Sequence, residues 1–113
     1  MMKIYHNPRC SKSREALQIL NDLGAKVDVI NYLEQIPSRE ELADLLSKLN
    51  LKAEDIVRKN ETVFKEKFKG RRCTEKEWIE ILHNNPKLIQ RPIVVNGKKA
   101  VVGRPPEIVK SIL

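Results

Sequence analysis

Apolar positions along this chain change their spacing several times, and each change marks a new element. Met1 to Tyr5 is an apolar-ended run of strand length. Ala16, Leu17, Ile19, Leu20 and Leu23 then recur at i, i+3, i+4 and i+7, the spacing of one helix face. Gly24 stands where a helix takes its C′ residue. Val27, Val29 and Ile30 read as a short buried strand. Together these pieces form a βαβ unit, which favours two parallel strands and a right-handed crossover.

Asn31 to Pro37 connects to a helical stretch. Ser38-Arg39-Glu40-Glu41 has the form of a capping box, and Leu42, Leu45, Leu46 and Leu49 follow at helical spacing until Asn50 closes the run. A short helix is predicted over Ala53–Val57 and a further helical piece over Thr62–Phe68, broken at Gly70. Thr74-Glu75-Lys76-Glu77 is a second capping box ahead of Trp78, Ile79, Ile81 and Leu82, and Asn84-Asn85-Pro86 ends that helix. Strand patterning then returns. Ile93-Val94-Val95, Asn96-Gly97 and Lys98 to Val102 predict a hairpin, with Asn-Gly supplying the positive φ angles of a type I′ turn. Arg104-Pro105-Pro106-Glu107 opens a final helix carrying Ile108, Val109, Ile112 and Leu113. The order is α/β: a βαβ–ββα layout with a mixed four-stranded sheet, thioredoxin-like, and an all-helical block inserted at about 38–85. Neither a repeat nor a linker interrupts it, so residues 1–113 read as a single domain.

Composition narrows the class. With 113 residues, 41% apolar and 33% charged, the chain has the balance of a soluble globular domain. No apolar run approaches the ~20 residues that cross a bilayer, and no signal-peptide core follows the N-terminus, so a cytoplasmic protein is expected. The net charge of +7 asks for an anionic partner. Much of it lies in Lys65, Lys67, Lys69, Arg71 and Arg72, where only Phe64 and Phe68 are near. That stretch reads as a solvated loop rather than a stacking surface for single strands, and neither nucleic acid nor membrane is expected as a partner. Cys10 and Cys73 have no framework spacing, which argues against a disulfide scaffold.

The candidate chemistry is concentrated in His6-Asn7-Pro8-Arg9-Cys10-Ser11-Lys12-Ser13-Arg14. Strand, tight turn and helix place Cys10 at a helix N-terminus, where free N–H groups and the positive end of the dipole converge. A thiol there loses its proton more readily, and the same helix end is an anion site. Cys10-x-x-Ser13 lacks the second thiol of a dithiol pair, though a serine hydroxyl can still donate to a thiolate. His6 either supports that thiolate or is a polar turn residue. An inert buried Cys10 is disfavoured by its basic neighbours Arg9, Lys12 and Arg14. A phosphatase loop of the C-x5-R type fails, because Ala16 stands at the required position. His6, Cys10, Cys73 and His83 have no zinc-ligand spacing, and no metal is expected. Cys73 reads as a bystander. Arg58, Arg91 and Arg104 all stand at element ends, and guanidinium groups grip tetrahedral oxyanions through paired, charge-assisted hydrogen bonds.

The loop His6-Asn7-Pro8-Arg9-Cys10-x-x-Ser13-Arg14 resembles that of the glutathione- and glutaredoxin-coupled arsenate reductases, the ArsC family. The likeness continues through Tyr32-Leu33-Glu34, Pro37-Ser38-Arg39-Glu40-Glu41-Leu42, Arg58-Lys59-Asn60, Arg91-Pro92-Ile93-Val94-Val95 and Arg104-Pro105 to Val109. It implies a thioredoxin-like fold with a helical insertion and a cis proline at Pro92. It further implies Cys10 as the arsenate nucleophile, Arg58, Arg91 and Arg104 as the oxyanion grip, and His6 and Ser13 as thiolate supports. Glutathione would be the co-substrate and glutaredoxin the partner, with no bound cofactor. Spx-type transcription regulators share the fold and bind RNA polymerase, but carry C-x-x-C and lack an arginine matching Arg104. That regulator is the alternative reading, with an orphan thiol oxidoreductase of the same fold as a third.

Overall fold

A computed structural model describes residues 2–113; Met1, counted in the first predicted strand, lies outside the described residues. The elements are β1 (Met2–His6), α1 (Ser11–Asp22), β2 (Val27–Asn31), α2 (Arg39–Leu49), α3 (Thr62–Lys67), α4 (Glu75–Asn84), β3 (Ile93–Asn96) and β4 (Lys99–Val102). Short 3-10 helices cover Ala53–Ile56, Pro86–Leu88 and Pro106–Ile112. Two compact units divide the chain. One comprises the chain up to Gln35 together with Arg91–Leu113, and the other is Ile36–Gln90.

The first unit holds the sheet, in the order β2-β1-β3-β4. β1 runs parallel to β2, from Met2 opposite Val27 to His6 opposite Asn31. It is antiparallel to β3, which pairs antiparallel with β4. This is the mixed, thioredoxin-like sheet predicted from the βαβ–ββα order. Alternation along β1 sends Met2 and Ile4 to one face, where they meet Ala16 and Leu20 of α1, Val94 of β3, and Val109 and Ile112 of the C-terminal 3-10 helix. Complete burial of an aliphatic side chain of this size contributes about 1.5–3 kcal/mol. α1 ends in a Schellman motif: the Ala25 N–H donates to Leu20 O and the Gly24 N–H to Asn21 O, each at 3.0 Å, with Gly24 at φ +74°.

Three local expectations need correction. β2 is an edge strand, so it has one paired neighbour; Val29, read as buried, is 46% exposed. The hairpin turn is shifted by one residue. Asn96 pairs with Lys99, leaving Gly97 and Lys98 as the loop. Only Gly97 has positive φ (+63°) there, the φ pattern of a type II′ rather than a type I′ turn. Asn96 is held in the strand because it faces Met2 across the ladder and its side-chain amide donates to Ile112 O at 2.5 Å. The last helix is 3-10, not α. Its buried residues, Pro106, Val109 and Ile112, recur every third position, while Ile108 and Leu113, placed on the apolar face by an α-helical reading, are exposed.

The second unit is helical throughout, apart from a single bridge between Val57 and Ile89. Ser38 Oγ accepts the Glu41 N–H at 3.0 Å, and Thr74 and Glu77 form the predicted reciprocal capping box. Asn50 closes α2 in the left-handed conformation. Leu42, Leu45 and Leu46 of α2 and Trp78 and Leu82 of α4 are buried. The Phe64 ring stacks on Trp78 at 6.3 Å. Phe64 and Phe68 thus serve the core of this unit and are lost to any stacking surface; the Arg71 guanidinium lies 5.5 Å from the Phe68 ring centre, covering it. No helix among the described residues is long and apolar enough to cross a membrane.

Candidate active site

β1 delivers the site by parity. His6 has the same alternation as Met2 and Ile4, so its ring is directed towards α1 at the strand's C-terminal end. The chain then reverses. Asn7 Oδ1 accepts the Arg9 N–H at 3.0 Å, and Asn7 O accepts the Cys10 N–H at 3.0 Å. Cys10 is the extended N-cap residue of α1, and its carbonyl takes the first helical bond, from Arg14 N–H at 3.0 Å.

An N-cap side chain ordinarily offers an oxygen to the amides of the second and third helical residues. Here the cap residue is a cysteine that makes no side-chain capping hydrogen bond, while the N–H groups of Ser13 and Lys12 are near enough to act on its sulfur. Burial pushes the Cys10 thiol up. The Ser13 N–H, the Arg91 guanidinium and the Lys12 N–H outweigh that and hold it below its ordinary value. The thiolate is thereby favoured, at a residue that is only half-buried.

Ser13 is fully buried and makes two contacts through its hydroxyl: 2.6 Å to His6 Nδ1 and 3.0 Å from the Asn7 N–H that it accepts. Its backbone N–H, rather than that hydroxyl, is what faces Cys10. Burial, and then the Arg14 charge, hold His6 below its ordinary value, so the imidazole is neutral at neutral pH. His6 and Ser13 accordingly act on the loop that carries the thiol. Arg14 is tied back by a 2.9 Å bond from its Nη1 to Pro8 O.

Arg91 stands two residues before β3, joined to Pro92 by the cis peptide bond that the resemblance implies; Arg104–Pro105 is cis as well. The exposed Arg104 donates from Nη1 to Arg91 O at 2.9 Å, which places two of the three predicted arginines together. Cys10, His6, Ser13, Arg91 and Arg104 all belong to the sheet-bearing unit. Arg58 belongs to the helical unit, where its N–H donates to Leu88 O at 2.7 Å and its Nη1 pairs with Glu61 at 3.1 Å. Cys73 is a half-buried free thiol at the foot of α4. His83, in the last turn of α4, bonds through Nδ1 to Pro37 O at 2.8 Å. Among the described residues, no three His, Cys, Asp or Glu side chains gather as a metal-ligand set.

One side chain near the thiol carried no chemical reading in the sequence. Tyr32 follows the last residue of β2 and is buried, yet it interacts with Arg91, Asn7 and Cys10. Burial pushes its phenol above the usual range, against the opposing effect of the Arg91 charge. The sequence signals were its place at a strand end and in the family likeness, and only the sheet shows that this end adjoins the cysteine loop.

A thioredoxin-like sheet presenting a single activated cysteine at a helix start, flanked by arginines, defines a class of thiol protein built to meet an anion. Residues 5–112 match the ArsC family. The chain is 38% identical to the arsenate reductase of Neisseria meningitidis serogroup A, covering 99% of this chain and 97% of that protein. It is 44% identical to YfgD of Escherichia coli K12, an uncharacterized protein, over 99% of this chain and 96% of that one. Among solved structures, the arsenate reductase from Vibrio cholerae superposes with a TM-score of 0.95 at 44% identity, covering 99% of this chain and 97% of that one. The chain belongs to the ArsC family.

Proposed function

We propose that this protein is an arsenate reductase that takes its electrons from glutathione through glutaredoxin. The observation that carries the reading is the Cys10 sulfur at the start of α1, favoured as thiolate by two helix amides and the Arg91 guanidinium. Family membership and relatives named arsenate reductase support arsenate as the oxyanion. Arg91 and Arg104 neutralise the bound anion as a charge-assisted cradle. Arg58 enters the proposal on its sequence context alone.

In the first step the Cys10 thiolate attacks arsenic. A sulfur–arsenic bond forms, an arsenic–oxygen bond breaks, and the oxygen leaves as water with protons from the substrate and solvent. The thiol of glutathione displaces a second oxygen, again as water. A glutaredoxin thiolate then attacks the glutathione sulfur. That sulfur–arsenic bond breaks, its electron pair reduces arsenic(V) to arsenic(III), and a glutathione–glutaredoxin mixed disulfide leaves. Water releases arsenite and restores Cys10. No bound metal or organic cofactor takes part, and the reaction belongs in the glutathione-rich cytoplasm.

Arsenate-dependent NADPH consumption, coupled through glutathione, glutathione reductase and glutaredoxin, tests the reading. Turnover by the parent and none by Cys10→Ser is expected. A parent protein that leaves arsenate unreduced with the full coupling system present would sink it. The polymerase-binding alternative has Ser13 and Arg104 against it, as stated from the sequence.

A further inference from the structure

We infer that the Tyr32 hydroxyl is a substrate-binding group of the Cys10 site, donating a hydrogen bond to the oxyanion that the thiolate attacks; this deepens the reading above and rests on it. Tyr32 is 1% exposed, and its hydroxyl, although close to the Arg91 and Asn7 side chains, completes no hydrogen bond of normal geometry. A buried hydroxyl left unpaired costs roughly 1–3 kcal/mol, so a native structure keeps one where something else completes it. The other buried side-chain polar atom without a partner, among the described residues, is Nε of Arg91. Both orphaned groups sit on side chains that interact with Cys10 and with each other. One is a neutral donor and the other a charged one, the pair that a partly protonated tetrahedral oxyanion accepts.

The backbone holds the phenol there. Asn31 pairs with His6 at the end of the β1–β2 ladder, so the chain leaving β2 starts beside the chain that forms the cysteine loop. Asn31 then closes a turn around Tyr32. Its carbonyl accepts from the Glu34 and Gln35 amides at 3.1 and 2.8 Å, and its side chain accepts from Leu33 at 3.2 Å. The ring is therefore fixed before any ligand arrives, with nothing to reorganise on binding.

The test compares the parent and Tyr32→Phe, both in a Cys73→Ser background so that alkylation reports Cys10 alone. Iodoacetamide inactivation is timed against rising arsenate, phosphate or sulfate. The ratio of rates with and without oxyanion, taken within each protein, yields a protection constant in which altered thiol reactivity cancels. Tyr32→Phe is expected to weaken protection by arsenate roughly tenfold, the loss of one buried hydrogen bond to a charged group. In oxyanion-free buffer it should melt at or above the parent temperature, because the hydroxyl has no well-formed hydrogen bond to lose. An unchanged protection constant would overturn the assignment and leave the phenol to an internal water. A lowered melting temperature would overturn it too, by revealing a structural bond. A parent unprotected by any of the three anions removes the ligand itself, and the assignment with it. If protection weakens in Tyr32→Phe but the parent never consumes NADPH with arsenate, Tyr32 stands as an oxyanion group and the reductase reading alone fails.

Discussion

Serine or aspartate at a helix N-cap accepts amide hydrogen bonds at little chemical consequence, whereas a cysteine there is drawn towards its reactive form. The amides of Lys12 and Ser13 and the Arg91 guanidinium all interact better with a thiolate than with a thiol. The alkylation midpoint of Cys10 should therefore fall below the ~8.5 of a free cysteine, and Arg91→Ala should move it upward. The thiol titrates lower folded than unfolded. Its contribution to stability is thus present above the free-cysteine value and is lost as pH falls through the folded one. A midpoint at or above the free value, measured by iodoacetamide rate against pH, would contradict the activated nucleophile. Cys10, Ser13 and the arginines were legible as candidates because their residue types and spacing carry the chemistry. The working arrangement of Ser13, hydroxyl towards His6 and Asn7 with its amide towards the sulfur, was not legible, since spacing does not distinguish a side chain from its own backbone.

At the scale of elements, the joint between β4 and the C-terminal 3-10 helix controls how closely the pieces around the site pack. Gly103 donates its N–H to Pro92 O at 2.8 Å. A Cβ there would lie 2.9 Å from Cγ of Pro92, 3.2 Å from Cγ1 of Val109 and 3.5 Å from Cβ of Ala16. The proline ring cannot swing aside as a flexible side chain would. Gly103→Ala should cost about 1–3 kcal/mol of stability, the usual penalty for overpacking. Because the displaced ring adjoins Arg91, the Cys10 alkylation midpoint should rise with it. Urea unfolding and iodoacetamide titration of the same variant read both effects; an unaltered unfolding midpoint would show that the joint is slack. The capped α-helices were legible because Ser38, Thr74 and Gly24 each satisfy groups within a few residues of themselves. The hairpin turn and the last helix were misread because their conformations answer to Met2, Ile112 and the core under Val109, which are distant in sequence.

For the whole molecule, the decisive count is of thiols. Both cysteines are free, and Cys10 has Ser13 where a resolving cysteine would stand. In the proposed scheme the electrons therefore come from an external thiol. Cys73→Ser should keep full glutaredoxin-coupled turnover, and thioredoxin alone should fail to sustain it. Mass spectrometry of enzyme quenched in turnover should find arsenic or glutathione on Cys10. A Cys10–Cys73 disulfide in that sample, with activity lost in Cys73→Ser, would replace the scheme by a dithiol one. The basic stretch at 65–72 contributes heavily to the net charge of +7 and is exposed at every lysine and arginine. Phe68 within it and Phe64 just before it turn inward instead, consistent with a solvated face.

Local sequence by itself determined which segments are helix and which are strand, where α2 and α4 begin, and that Cys10 opens a helix. Each of these depends on contacts or amides a few residues away, so periodicity and capping chemistry suffice. Tertiary structure alone decided that β2 lies at an edge, that Arg104 meets the Arg91 carbonyl, and that the Tyr32 phenol stands by the thiol. Those facts depend on strand order and on ladder register. They are set by burial of the whole apolar face of the sheet, a quantity that no short window of residues contains.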